Sequence, residues 1–193
     1  MIVKKPDGST RLFVDYSTGL SEALQLLQHP LLVPEDIFAT LNGGQVFSQI
    51  DLSDAYLQVE LDDQSKQLCN INTHTGVCDY QLLPFGTKSA PGILQEIMNK
   101  LLAGLPFATA YLDDIVVSRS QEDHTRHLHA VFERINDYRF RVRLGKCSFY
   151  QTSIQYLGFV VDKDGWRPDP QKLRAVAKKT APYIHTPFFP WIG

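Results

Sequence analysis

The chain has 193 residues and 21.9 kDa, enough for one ordinary domain, and its 44% hydrophobic and 21% charged residues are near the globular average. Twelve Gly and 11 Pro are too few for a collagenous or low-complexity chain, no apolar run approaches the ~20 residues of a membrane helix, and Met1–Gly8 lacks the apolar core of a signal peptide. Three cysteines, an odd number with no CxxC pair, argue against a disulfide framework and for a reducing compartment. The net charge of −2 hides an asymmetry: residues 1–138 carry −9 and residues 139–193 carry +7. A basic end can track a phosphate backbone; the alternative is an unevenly charged solvated surface.

Residues 2–16 read as a hairpin, with Ile2-Val3, a turn at Lys5-Pro6-Asp7-Gly8, and Arg11 to Tyr16 returning. Residues 17–33 carry no clear signal. Pro34 with Glu35 and Asp36 predicts a short helix, since Pro suits the first turn and acids suit the dipole there; Asn42-Gly43-Gly44 ends it. Val46 to Leu52 is a strand with Asp51 near its end, followed by a single helical turn over Ser53 to Tyr56 and renewed strand alternation at Val59 and Leu61. Residues 67–83 predict a second hairpin turning at Thr75-Gly76. Ser89 then caps a helix with Pro91 in its first turn, whose Leu94, Ile97, Met98 and Leu101 form a buried stripe.

Two apolar runs, Phe107–Leu112 and Ile115–Val117, are joined by Asp113-Asp114. Residues 121–138 give the clearest helix, with Leu128, Val131, Phe132 and Ile135 on one face. Phe140, Val142 and Leu144 alternate with Arg139, Arg141 and Arg143, a strand with one basic face. Residues 154–161 predict another strand, turning at Lys163-Asp164-Gly165, and Asp169-Pro170 caps a last basic helix to about Lys179. The irregular mixture of hairpins and helices predicts an α+β fold, an antiparallel sheet with helices on one face.

Asp113-Asp114 stands where polarity is least expected. Two adjacent acids repel, and a plain hairpin turn favours Asn-Gly or Asp-Gly. Asp51 sits in similar company. If its strand neighbours theirs, the three acids meet at one end of the sheet and offer oxygen ligands suited to Mg²⁺. Two other clusters carry less. Cys69, His74 and Cys78 fall one ligand short of a structural zinc site, and His124, His127 and His129 are expected on a solvated helix.

Tyr111-Leu112-Asp113-Asp114 between apolar strands resembles the Tyr-x-Asp-Asp motif of reverse transcriptases, and the order of further motifs makes the likeness specific. Phe47-Ser48-Gln49-Ile50-Asp51-Leu52-Ser53-Asp54-Ala55-Tyr56 resembles the block carrying the first catalytic Asp. Leu83-Pro84-Phe85-Gly86-Thr87-Lys88-Ser89-Ala90-Pro91 resembles the template- and nucleotide-facing block. Tyr156-Leu157-Gly158 looks like the primer-grip hairpin, and Arg11 to Tyr16 like the fingers strand that meets the triphosphate. The chain most resembles the polymerase of Ty3/gypsy-type LTR retrotransposons, where Pro-Phe-Gly is usual.

The resemblance implies a fingers-and-palm fold over residues 1–179 with the thumb missing, and a divergent, unstructured tail over 180–193. Asp51, Asp113 and Asp114 would be the catalytic carboxylates holding two Mg²⁺ ions, with Mn²⁺ as a substitute. The primer 3′-hydroxyl would attack the α-phosphate of a deoxynucleoside triphosphate. Arg11 and one of Lys4 or Lys5 would meet the triphosphate. Tyr56 would be the gate against a ribose 2′-hydroxyl, although without the family it reads as a core aromatic. Phe85 and Gly86 would line the nucleotide pocket, and Tyr156, Leu157, Gly158 and Phe159 would hold the primer end. The implied partners are an RNA or DNA template with its primer and deoxynucleoside triphosphates, with no membrane, in an intracellular setting such as a cytoplasmic particle or the nucleus. RNase H and integrase regions are expected in a parent polyprotein. Ser17 stands where the family usually has a second Arg. The alternatives are an inactive or co-opted palm remnant that binds nucleic acid, or another nucleotidyltransferase or cyclase on the same palm.

Overall fold

The computed structural model of the protein describes residues 2–4, 8, 10–12, 33–74 and 76–172. The first hairpin is present as β1 (Ile2–Lys4) and β2 (Thr10–Leu12), antiparallel with Val3 opposite Arg11. Lys5 and the tail after Lys172 lie outside the described residues.

The centre is a four-stranded antiparallel sheet. Its strands are β3 (Val46–Asp51), β6 (Ala108–Tyr111), β7 (Asp114–Arg119) and β8 (Ser148–Gln151), in the order β6-β7-β3-β8. Among the described residues, two further hairpins complete the strands. One pairs β4 (Asn70–Thr73) with β5 (Gly76–Asp79); the other is part of a three-stranded sheet of β9 (Ser153–Tyr156), β10 (Phe159–Asp162) and β11 (Gly165–Pro168). The helices are α1 (Pro34–Leu41), α2 (Asp63–Leu68), α3 (Ala90–Leu101) and α4 (Gln121–Asp137).

Strand alternation assigns each residue of the central sheet to one of two cores. Ile50, Ile115, Val117 and Ala110 face α3 and α4, where they meet Leu94, Met98, Leu101, Leu128, Val131 and Ile135. Phe47 and Val116 face the other way, onto Ile37, Phe38 and Leu41 of α1 and Ile154, Tyr156 and Val161 of the second sheet. The central sheet is therefore covered on both sides, with α1 and the β9–β11 sheet on the face opposite α3 and α4. Full burial of a side chain such as Phe47 or Ile50 contributes roughly 1.5–3 kcal/mol. Gly44 lets the chain leave α1 beside the sheet, because a Cβ there would run into Ser118, Phe47 and the Leu41 carbonyl.

Several local expectations need correction. Residues 140–144 form no strand. Arg139 turns the chain with φ 59°, Val142 makes an isolated bridge to Leu52, and Leu144 opens a 3-10 turn and is exposed. The strand that flanks β3 is β8, slightly later. Before the second hairpin stands α2, which begins where the Asp62 carboxylate accepts the Ser65 amide at 2.7 Å, while Val59 to Leu61 pair with Gln81 to Leu83 through a single bridge between Glu60 and Leu82. Ser89 makes no side-chain cap bond. Residues 154–161 are two strands, since Leu157 (φ 50°) and Gly158 (φ 89°) form a tight turn of the kind that needs positive φ at both positions.

His124 is not solvated. It is fully buried under β3, with Nε2 2.7 Å from Ser48 Oγ. Ser48 Oγ also accepts the Tyr150 amide at 3.2 Å, where the β3–β8 register shifts, so one buried hydroxyl ties α4, β3 and β8 together. Burial, and then the neighbouring His127, lowers the His124 pKa from its ordinary 6.5. Since the folded state resists protonation, this contribution is full above pH 6.5 and is lost as pH falls below it. Relative to wild type, the thermal midpoint of His124→Gln should therefore rise as pH falls from 7 to 5. A difference that stays constant over that range, measured by circular dichroism, contradicts this role.

Candidate functional site

The acids come together through strand register. β3 and β7 pair antiparallel with Ile50 opposite Ile115 and Asp51 opposite Asp114. β6 and β7 form a hairpin in which Tyr111 faces Asp114 and the two-residue turn is Leu112-Asp113. Asp113 thus belongs to the turn and Asp114 to the strand, a division that the Asp-Asp pair did not reveal. The Leu52 amide donates to the Asp113 carbonyl at 3.0 Å, which closes β3 onto the turn.

Three like charges at one strand end are costly. The Asp114 carboxyl is pushed up to about 6, first by protein packed around it and then by repulsion from Asp113 and Asp51, with Lys146 opposing. Asp114 keeps an open side to solvent, so its withdrawal from water is partial. Asp51 is also raised, by burial above all, against the pull of Lys146 and Arg143. Its Oδ1 is buried with no hydrogen-bond partner, while Oδ2 lies 3.8 Å from Lys146 Nζ. Among the described residues, no three His, Cys, Asp or Glu side chains form a closed ligand set as they stand.

Asp51 is held by the segment that follows α4. The Arg143 amide donates to the Asp51 carbonyl at 2.8 Å, and the Asp51 amide points at Cys147 Sγ at 3.5 Å. Arg143 pairs with Asp54 at 2.9 Å, and Gln58 accepts the Arg141 amide at 2.7 Å while donating to the Ser53 carbonyl. The basic residues expected on a phosphate-tracking face thus serve partly to fix the Asp51–Gln58 segment. Gln58 and Cys147 carried no motif signal, because their work is done on backbone groups.

A cleft beside these acids is lined by Asp51, Asp113, Tyr56, Phe85, Arg143 and Lys146. Tyr56 and Phe85 meet with ring centroids 5.3 Å apart. Tyr56 lies in a 3-10 turn over Ala55–Gln58, slightly later than expected. Burial, then Asp113, raises its phenol pKa. Gly86 is exposed at a bend with φ 102°. Arg11 and Lys4 lie on the first hairpin, but their side chains, like all of Lys5, fall outside the described residues. Leu157 and Gly158 form the β9–β10 turn; Phe159 packs against Phe38 and Trp166. The Tyr156 side chain turns inward to the β6–β7 hairpin rather than outward.

The sequence matches the reverse transcriptase (RNA-dependent DNA polymerase) family over residues 3–161. The chain belongs to that family. An uncharacterized protein of Caenorhabditis elegans is 46% identical over 184 residues, covering 94% of this chain and 14% of its own length. The retrovirus-related Pol polyprotein from transposon gypsy of Drosophila melanogaster is 30% identical, covering 89% of this chain and 17% of the polyprotein. The solved structure of the foamy viral protease-reverse transcriptase in complex with double-stranded DNA superposes with a TM-score of 0.83 at 23% identity, covering 94% of this chain and 32% of that one. This chain therefore spans less than a fifth of the length of these curated relatives.

The raised acids carry a stability consequence. An Asp114 pKa of about 6 against an ordinary 3.8 means that the folded state binds the proton more tightly, so stability is lost as pH rises through that interval. Asp114→Asn should raise the metal-free thermal midpoint at pH 7, and the gain should vanish below about pH 4. A midpoint lower than wild type at pH 7 contradicts the repulsion.

Proposed function

We propose that this chain is the fingers-and-palm part of a retrotransposon polymerase that adds deoxynucleotides to a primer on an RNA or DNA template. The observation that carries the reading is the register pairing Asp51 with Asp114 beside the Asp113 turn. The donors fit a divalent cation: they are carboxylate oxygens only, two of the three carboxyls have raised pKa values, and Asp51 Oδ1 is buried without a partner. Asp51, Asp113 and Asp114 would hold two Mg²⁺ ions, or Mn²⁺ in their place. The bound ions would supply charge neutralisation at the reacting phosphate and a more acidic primer hydroxyl.

In the step, the primer 3′-hydroxyl gives its proton to solvent water, its oxygen bonds to the α-phosphorus, and the α–β anhydride bond breaks to release pyrophosphate. The chain's own groups position the reactants. Lys146 and Arg143 bring positive charge to the cleft where phosphate oxygens arrive. The Tyr56–Phe85 pair forms an aromatic wall, with Tyr56 as the bulky gate against a ribose 2′-hydroxyl. Gly86 allows close backbone approach beside Phe85. Lys4 or Lys5 and Arg11 would meet the triphosphate from the fingers, and the Leu157-Gly158 turn of the β9–β10 hairpin would hold the primer end, with Tyr156 facing inward. RNase H and integrase regions would belong to a parent polyprotein.

Primer extension on poly(rA)/oligo(dT) with Mg²⁺ tests the reading. The chain should incorporate thymidylate, and Asp113→Asn should lower the rate at least ~100-fold, as expected for loss of an electrostatic group at the reacting centre. No incorporation above the variant would remove it.

A further inference from the structure

We propose that Tyr156 is a positioning residue, its hydroxyl tying the β9–β10 hairpin to the turn that carries Asp113 and Asp114. The inference rests on the polymerase reading above for its catalytic consequence, but not for its geometry.

Tyr156 is only 3% exposed, so its ring does not face a primer. Its hydroxyl accepts the Tyr111 amide at 3.1 Å and donates to the Asp114 carbonyl at 3.0 Å. Tyr111 and Asp114 are the pair that closes the β6–β7 hairpin. One phenol oxygen thus bridges both strands at the rung that carries Asp114.

The turn needs such support. Leu112 sits at φ 55°, a left-handed conformation that costs a side-chain-bearing residue energy. The adjacent acids repel. Buried Gln95 of α3 holds the turn through other groups, accepting the Leu112 amide at 2.9 Å and donating to the Ala110 carbonyl at 3.0 Å. Two elements distant in sequence therefore grip the backbone on either side of Leu112. Tyr156 is the last residue of β9 before the Leu157-Gly158 turn, so any displacement of that hairpin pulls directly on Asp114. Placement of the metal-binding carboxyls would follow the hairpin through one hydrogen-bonded oxygen.

Tyr156→Phe in the full 193-residue chain keeps the ring and removes only the hydroxyl. Hydrogen exchange followed by NMR should show protection of the Tyr111 amide falling at least ~10-fold, with Ile50 and Val116 unchanged. Primer extension should show kcat falling at least ~10-fold with the nucleotide KM within about twofold, the signature of lost transition-state placement rather than lost binding. Unchanged Tyr111 protection, an unchanged kcat, or a uniform loss of protection across the sheet each overturns the proposal. If the wild-type chain incorporates nothing, the polymerase reading fails, and the exchange pattern alone decides whether the hydroxyl fixes the turn.

Discussion

The rung that sets Asp51 opposite Asp114 is the constraint on which the rest depends. It is unfavourable in itself, since like charges directly opposite on a sheet destabilise it. It persists because the apolar residues on the other rungs of β3 and β7 are committed to the two cores. Ile50 and Ile115 face the α3–α4 core, and Phe47 and Val116 face the α1 side. A slip of one residue would turn all of these out of their cores at once. Hydrophobic burial on both faces thus enforces an electrostatic arrangement that the acids would not choose.

The flanking contacts follow the same logic. Backbone groups near the acids are taken by side chains from remote segments: Gln95 and Tyr156 at the turn, and Gln58 and Cys147 along Asp51 to Arg143. A sheet edge would ordinarily leave such groups to water. Here they are satisfied internally, by groups other than the three acids. At Asp51 the pull of Lys146 and Arg143 outweighs repulsion from Asp113 and Asp54, so burial is what raises it; at Asp114 repulsion from Asp113 and Asp51 adds to burial, with Lys146 opposing.

Much of this was legible in the sequence where pattern and chemistry coincide. The Val46–Asp51 strand, the long helix over Gln121–Asp137 and the convergence of the three acids follow from alternation, helical periodicity and motif order. What the sequence did not show is decided by tertiary contact. Phe140 and Val142 do pack inward, but Arg139 turns left-handed and Leu144 faces solvent, so apolar alternation there gives a bridge rather than a strand. Histidines at helical spacing read as solvated, yet Ser48 sits beneath His124 from a strand 76 residues away. The inward turn of Tyr156 was equally hidden, because a Tyr before Leu-Gly looks the same whichever way its ring points.

The most direct test of the central claim is a Mn²⁺ titration of the ¹⁵N-labelled chain, followed by paramagnetic line broadening. Broadening at the lowest Mn²⁺ additions should centre on the amides of Asp51, Asp113 and Asp114, and should disappear in Asp51→Asn. Broadening centred elsewhere, or none at these three residues, would contradict the account.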